Sequence, residues 1–201
     1  NLMMRKKTFE KYSKKLKGEI HDNIGLAAMT DDLDYSIGLI MKKLKELNVE
    51  DNTYIIYSSD NGSVPIIVPR RYYEKSYNYP LSRGKWDAME GGIRVPFIIS
   101  GPNIKEYSYK TTNISFSDIL PTIIDIISSK KVKSKSLDGG SFKDLLFGKS
   151  KKIKRSTKGL IFHVPYENGI ALKRAHSAII QDNYKLIKFY DNNEIQLFDL
   201  E

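Results

Sequence analysis

An apolar run, Tyr54-Ile55-Ile56-Tyr57, stops abruptly at Ser58-Ser59-Asp60-Asn61-Gly62, and this stop constrains the fold more than any other stretch of the 201 residues. The β-branched and aromatic run from Thr53 to Ser59, bounded by polar and glycine positions, predicts a short buried strand. Upstream, Met29, Leu33, Ile37, Ile40, Leu44 and Leu47 recur at steps of three and four, the spacing of one face of a long amphipathic helix. Asp22 or Asn23 suits the start of that helix and Asn48 its end. A helix followed through Asp51-Asn52 by a strand predicts an α/β unit with parallel strands. In open α/β sheets the C-terminal tip of a strand is where ligands bind, and here that tip carries Asp60 and Asn61.

After the strand, residues 60–95 show little regular pattern but many tyrosines, and a long irregular stretch of this kind predicts function more than disorder. Pro96 to Ser100 reads as a second strand closed by Gly101-Pro102. Asp118 to Ile127 reads as a short apolar helix capped by Ser117 or Asp118, because Pro121 is tolerated only in a first turn. Ser141 to Phe147 allows one or two helical turns. Leu160–His163, Ser177–Gln181, Tyr184–Phe189 and Glu194–Phe198 predict a small antiparallel sheet, with Asp191-Asn192-Asn193 turning between its last two strands. The expected organisation is a basic segment over 1–22, an α/β part over 23–128, a Lys/Ser-rich connection over 129–158 and a β subdomain over 159–201.

Charge follows this division. The net charge is +9, yet residues 5–17 hold seven basic residues against one acidic, and residues 130–158 eleven against two. The rest of the chain carries −6. The basic excess thus lies in an arm and a linker, which reads as solvated surface; no aromatic–basic interleaving points to nucleic acid. No apolar run reaches the ~20 residues that span a bilayer, and Asn1 to Lys7 does not read as a signal peptide. There is no cysteine, so disulfides, thiolate metal sites and cysteine nucleophiles are excluded from these residues.

Asp60 and Asn61 offer a carboxylate and an amide oxygen, donors that hard cations such as Ca²⁺ and Mg²⁺ prefer. Neighbouring strand residues point to opposite faces, so both can meet one ion only where the strand ends and the chain turns, as Gly62 permits. Lys85, beside Gly84, is a compact charge with three donors for the oxygens of an anion. In Glu90-Gly91-Gly92-Ile93-Arg94-Val95-Pro96, two glycines before an arginine predict a sharp bend with Arg94 buried and paired, Glu90 being a partner within reach.

Taken together and in order, these blocks resemble the C-terminal half of the catalytic domain of sulfatases, in the alkaline-phosphatase-like superfamily. The resemblance is carried by Ala27-Ala28-Met29, Asp34 and Gly38; by Asp51-Asn52-Thr53 with Ser59-Asp60-Asn61-Gly62; by Pro80-Leu81-Ser82-Arg83-Gly84-Lys85; by Glu90 to Pro96; and by Ser117-Asp118 with Pro121-Thr122 and Asp125. Phe162 to Tyr166, Ser177 to Ile179 and Tyr184 to Ile187 resemble the family's C-terminal sheet. The resemblance implies the C-terminal part of an α/β/α sandwich followed by a small antiparallel sheet. It also implies hydrolysis of a sulfate ester on a sulfated sugar or aryl substrate. Asp60 and Asn61 would be metal ligands, usually for calcium, with magnesium the alternative, and Lys85 would bind the sulfate. His163 enters as a substrate contact on a loop, and His21 as a surface or capping residue.

The sequence departs from the family where its chemistry begins. The formylglycine nucleophile arises in a C/S-x-P/A-x-R motif, which these residues do not contain. No catalytic residue is therefore assigned here; the nucleophile and its formylglycine are expected upstream, and the chain is expected to be an unstable fragment by itself. Ser82-Arg83 and Ile180 also differ from the usual residues. Two other readings stay open: a phosphomonoester or phosphonate hydrolase of the same superfamily, and an inactive remnant that binds sulfated glycans. The family is often secreted, periplasmic or lysosomal.

Overall fold

The computed structural model describes residues 3–65, 77–128, 137–167 and 174–201. Part of the expected connection, 129–136, and part of the irregular stretch, 66–76, lie outside the described residues. The chain divides into two compact units, the first ending at Pro102 and the second beginning at Asn103. Among the described residues no helix is long and apolar enough to cross a membrane.

In the first unit, α1 (Lys6–Ser13) packs on α2 (Ile24–Glu46). Asn23 caps α2, its side chain accepting from the Leu26 N–H at 2.9 Å. At the other end Asn48 takes the left-handed conformation at φ 55°. The Val49 N–H then returns to the Leu44 carbonyl and that of Asn48 to Lys45, closing the helix as a Schellman turn. Both ends match their expected residues. The expected apolar stripe does not form a core. Only Ala28 of α2 is buried, while Leu33 is 50% and Ile40 59% exposed. The helical period is present, but the elements packed on α2 among the described residues leave much of the stripe exposed.

The two helices are joined by polar contacts. Asp32 accepts from Thr8 Oγ1 at 2.5 Å and from the Arg5 N–H and Nε, each at 2.7 Å, and Lys11 meets Asp31 at 2.9 Å. These donors, Thr8 first and the Arg5 backbone next, hold the Asp32 carboxyl down from 3.8 to about 2.

β1 (Ile55–Ser58) pairs with β2 (Phe97–Ser100), and here the parallel expectation is corrected: the strands run antiparallel, with Ile55 opposite Ser100 and Ser58 opposite Phe97. Among the described residues the connection contains no crossover helix, Glu90–Ile93 being its single helical turn. Tyr54 fastens the far end by donating to the Pro102 carbonyl at 3.0 Å.

The second unit is centred on Asp118, which is fully buried. Its carboxylate accepts from Arg155 Nε and Nη2 at 2.8 and 2.6 Å, and from the Ser115 and Gly140 N–H groups, each at 2.8 Å. The helix α4 (Ile119–Ile127) is preceded by a 3₁₀ turn, Phe116–Asp118. Asp118 stands at the N-cap position of α4, one of the two residues expected there, and Ser115 caps the preceding turn in a reciprocal box with it. Thr122 on α4 accepts from the Phe142 N–H at 2.9 Å, which docks the single-turn α5 (Lys143–Leu146).

Four strands complete the unit as an antiparallel meander: β3 (Leu160–Val164), β4 (His176–Gln181), β5 (Tyr184–Phe189) and β6 (Ile195–Asp199). One face buries Leu160, Ala178, Ile180, Ile187 and Phe189, in the alternation the sequence predicts. The turn at 190–194 is clasped by Arg174, which donates to Asp191 at 2.7 and 2.8 Å and to Glu194 at 2.9 Å, with its guanidinium 3.8 Å over the Phe189 ring.

Candidate functional site

β1 ends at Ser58, so Asp60 and Asn61 stand just beyond the strand, where the chain has begun to turn. Ser59 Oγ donates to the Asn61 carbonyl at 2.8 Å and shapes that turn. Asp60 is exposed and Asn61 half-buried. Gly62 then drives the chain against the Glu90 segment, its N–H donating to the Gly92 carbonyl at 3.0 Å. A Cβ on Gly62 would stand 1.6 Å from the Gly91 carbonyl oxygen, so this approach requires glycine.

One residue on, the Ser63 carbonyl accepts from the Lys85 N–H at 3.0 Å. The three blocks that the sequence separates by some thirty residues therefore share one backbone frame. Asn78, which sequence reasoning missed, locks it. Its Oδ1 accepts from the Ser63 N–H, and its Nδ2 donates to the carbonyls of Ser63 and Arg83, all at 2.9 Å. Gly84 and Gly92 complete the knot, a Cβ on either falling within 2.5 Å of backbone or of the Asn78 amide. Gly84 thus leaves space for the protein's own backbone here, beyond any room it leaves for a ligand.

Glu90–Ile93 forms α3, a single helical turn. The bend expected there is present, but Arg94 is exposed, not buried: the turn puts Gly91 and Gly92 inside and carries Arg94 outward. Lys85 is half-buried, its Nζ 5.4 Å from the centre of the Trp86 ring.

His163 lies within β3 and not on a loop, on the exposed face of the second unit's sheet. Its Nδ1 is 2.6 Å from Ser177 Oγ, which is itself 2.6 Å from the Tyr190 hydroxyl. This row is separate from the Asp60–Lys85 frame in the chain's division into units. His21 is exposed, beside an open groove of about 510 Å³ along α1 and α2 lined by Tyr12, Thr30, Asp31 and Tyr77 among others. Neither Asp60 nor Lys85 lines that groove, which is the seam of two packed helices.

The donor chemistry at Asp60 and Asn61 suits a hard cation, since both supply oxygen and neither sulfur nor nitrogen is required. Among the described residues no group of three or more His, Cys, Asp or Glu side chains gathers around them or elsewhere. Two oxygen donors are fewer than the six to eight that Ca²⁺ takes.

Residues 26–129 match the sequence model of a family described as Sulfatase, and residues 84–201 match one described as N-sulphoglucosamine sulphohydrolase, C-terminal. The human steryl-sulfatase is 31% identical over 135 residues, 66% of this chain and 23% of that protein. A sulfatase of Formosa agariphila is 27% identical over 198 residues, 90% of this chain and 34% of its own length. Among solved structures, a protein in complex with its substrate D-glucosamine-2-N,6-O-disulfate superposes with a TM-score of 0.71 at 24% identity, over 95% of this chain and 38% of its own. The chain spans about a third or less of the curated relatives named here. These likenesses bear out the α/β fold with its small antiparallel sheet.

Proposed function

Since this chain belongs to the sulfatase family, we propose that it forms part of a sulfuric ester hydrolase acting on a sulfated sugar or aryl sulfate. The observation that carries the reading is the shared frame: the Gly62–Gly92 and Ser63–Lys85 backbone bonds tie the oxygen donors and the ammonium to one knot.

Each residue's part follows from its chemistry. The Lys85 ammonium holds sulfate oxygens, and because its backbone N–H is pinned to Ser63, the root of the side chain is fixed before the ligand arrives. Preorganised charge of this kind acts where negative charge develops in the transition state. The Asp60 carboxylate and Asn61 amide oxygen are the residues of this chain that would hold a divalent cation, most simply calcium. When bound, such a cation supplies Lewis-acid polarisation of the sulfate. Asn78 is a positioning residue: it touches neither ligand but fixes Ser63 against Arg83. His163 is proposed as a contact for the sugar or aryl part through its exposed ring.

The test is steady-state hydrolysis by the whole protein. K85A is expected to lower kcat/KM for a sulfate ester by about 10²–10³. D60N is expected to make activity depend on added calcium at raised concentration. Undiminished turnover in K85A, or in a sample stripped of divalent cations by chelator, would remove the corresponding assignment. Unchanged turnover in H163A removes His163.

A further inference from the structure

Trp86 has a backbone that tryptophan rarely adopts. Its φ is +80°, and for a bulky residue this is an outlier that the surroundings must enforce. They do so from both sides. The Lys85 N–H is held by the Ser63 carbonyl, and the Met89 N–H by the Asp87 side chain. The carbonyls of Gly84 and Asp87 bracket Gly92 so closely that a Cβ there would lie 2.5 and 2.3 Å from them. Arg83, two residues before Lys85, is also left-handed, at φ +60°. A glycine would relieve the strain at position 86, yet the chain places its largest side chain there, half-buried, with the Lys85 ammonium over the ring at 5.4 Å.

We propose that Trp86 is a specificity-determining residue, whose indole receives the ring that carries the sulfate held by Lys85. The proposal rests on the sulfate-binding reading of Lys85. A sulfate ester sets its ring one oxygen away from sulfur. A ligand whose sulfate is drawn to the ammonium therefore brings its ring against the adjacent indole. The shared chemistry is a flat ring face, either the C–H face of a pyranose or the face of an aryl group; both gain by contact with an aromatic surface. The strained backbone is the means of aiming the indole at the same space as the ammonium, since consecutive side chains in an extended segment would point apart.

The experiment compares ligands with and without a ring in the whole protein: glucosamine 6-sulfate and phenyl sulfate as substrates, inorganic sulfate as a competitive inhibitor. W86A should raise KM for at least one ring ester about tenfold, leave the Ki of inorganic sulfate within twofold, and change kcat little; W86F should recover most of the loss. Which ester loses affinity tells sugar from aryl recognition. An unchanged KM for both esters overturns the proposal, as does a parallel rise in the Ki of inorganic sulfate, or failure of W86F to recover. K85A separates the two readings: it should weaken inorganic sulfate, and if it does not, the Lys85 assignment fails by itself.

Discussion

Asn78 makes three hydrogen bonds that join the Ser63 turn to Arg83, and none of them was visible in a sequence where Asn78 sits among tyrosines. Removing them strands the Ser63 N–H in a half-buried loop and takes one donor each from the carbonyls of Arg83 and of Ser63, which keeps its bond from the Lys85 N–H. N78A should therefore cost about 1–3 kcal/mol in urea unfolding. It should also weaken sulfate binding without deleting any group that touches sulfate. Gly62→Ala should be worse tolerated than its size suggests, because the new methyl meets the Gly91 carbonyl and the backbone must move. Asp118 is the other residue on which much depends. D118A leaves Arg155 without its carboxylate and the Gly140 and Ser115 N–H groups without an acceptor, and should cost about 3–5 kcal/mol. A shift of the urea midpoint no larger than that of a surface mutant would contradict it. Sequence patterning marks Asp118 only as a helix cap; its burial depends on Arg155, thirty-seven residues away.

At the scale of elements, α2 was fully legible in its limits. Its caps are local, since Asn23 bonds three residues ahead and Asn48 closes a turn over its own neighbours. Its apolar stripe was legible as a period, but the period says nothing of what covers it, and Leu33 and Ile40 are exposed. The docking of α1 on α2 gives a pH prediction. The Asp32 carboxyl is depressed from 3.8 to about 2 by Thr8 and Arg5, so the folded state favours its charged form. The stabilisation is complete above the ordinary carboxylate range and is lost as pH falls through about 4 toward 2. Protease cutting within residues 14–22, between the helices, should increase over that window, and D32N should show the increase at neutral pH. The clasp on the β5–β6 turn behaves alike, because Arg174 holds Asp191 low, as Gln196 and then Arg174 do Glu194.

For the molecule as a whole, the antiparallel sheet was read strand by strand with errors of one residue at the ends, because alternation of period two survives in short strands. The sense of β1 and β2 was not, since strand direction is set by the route of the connection, which local pattern does not fix. Calcium titration of the 201-residue chain gives a measure of how complete the cation site is. Two oxygen donors should bind no tighter than about 10⁻⁴–10⁻³ M, and D60N should abolish even that. Submicromolar affinity would mean that further donors converge on Asp60 and Asn61.

The sequence by itself determined the residue types of the site, their order, the family they belong to, and every element whose signals are local: caps, turns and two-residue alternation. Only the tertiary structure decided that Asp60, Lys85 and Gly92 share one frame, that Asn78 locks it, that Arg94 points outward and His163 lies in a strand, and that Trp86 is twisted toward Lys85. The physical reason is range. Propensity and periodicity act between neighbours within a turn or two, whereas each of these placements is set by backbone contacts between loops that are distant in the chain.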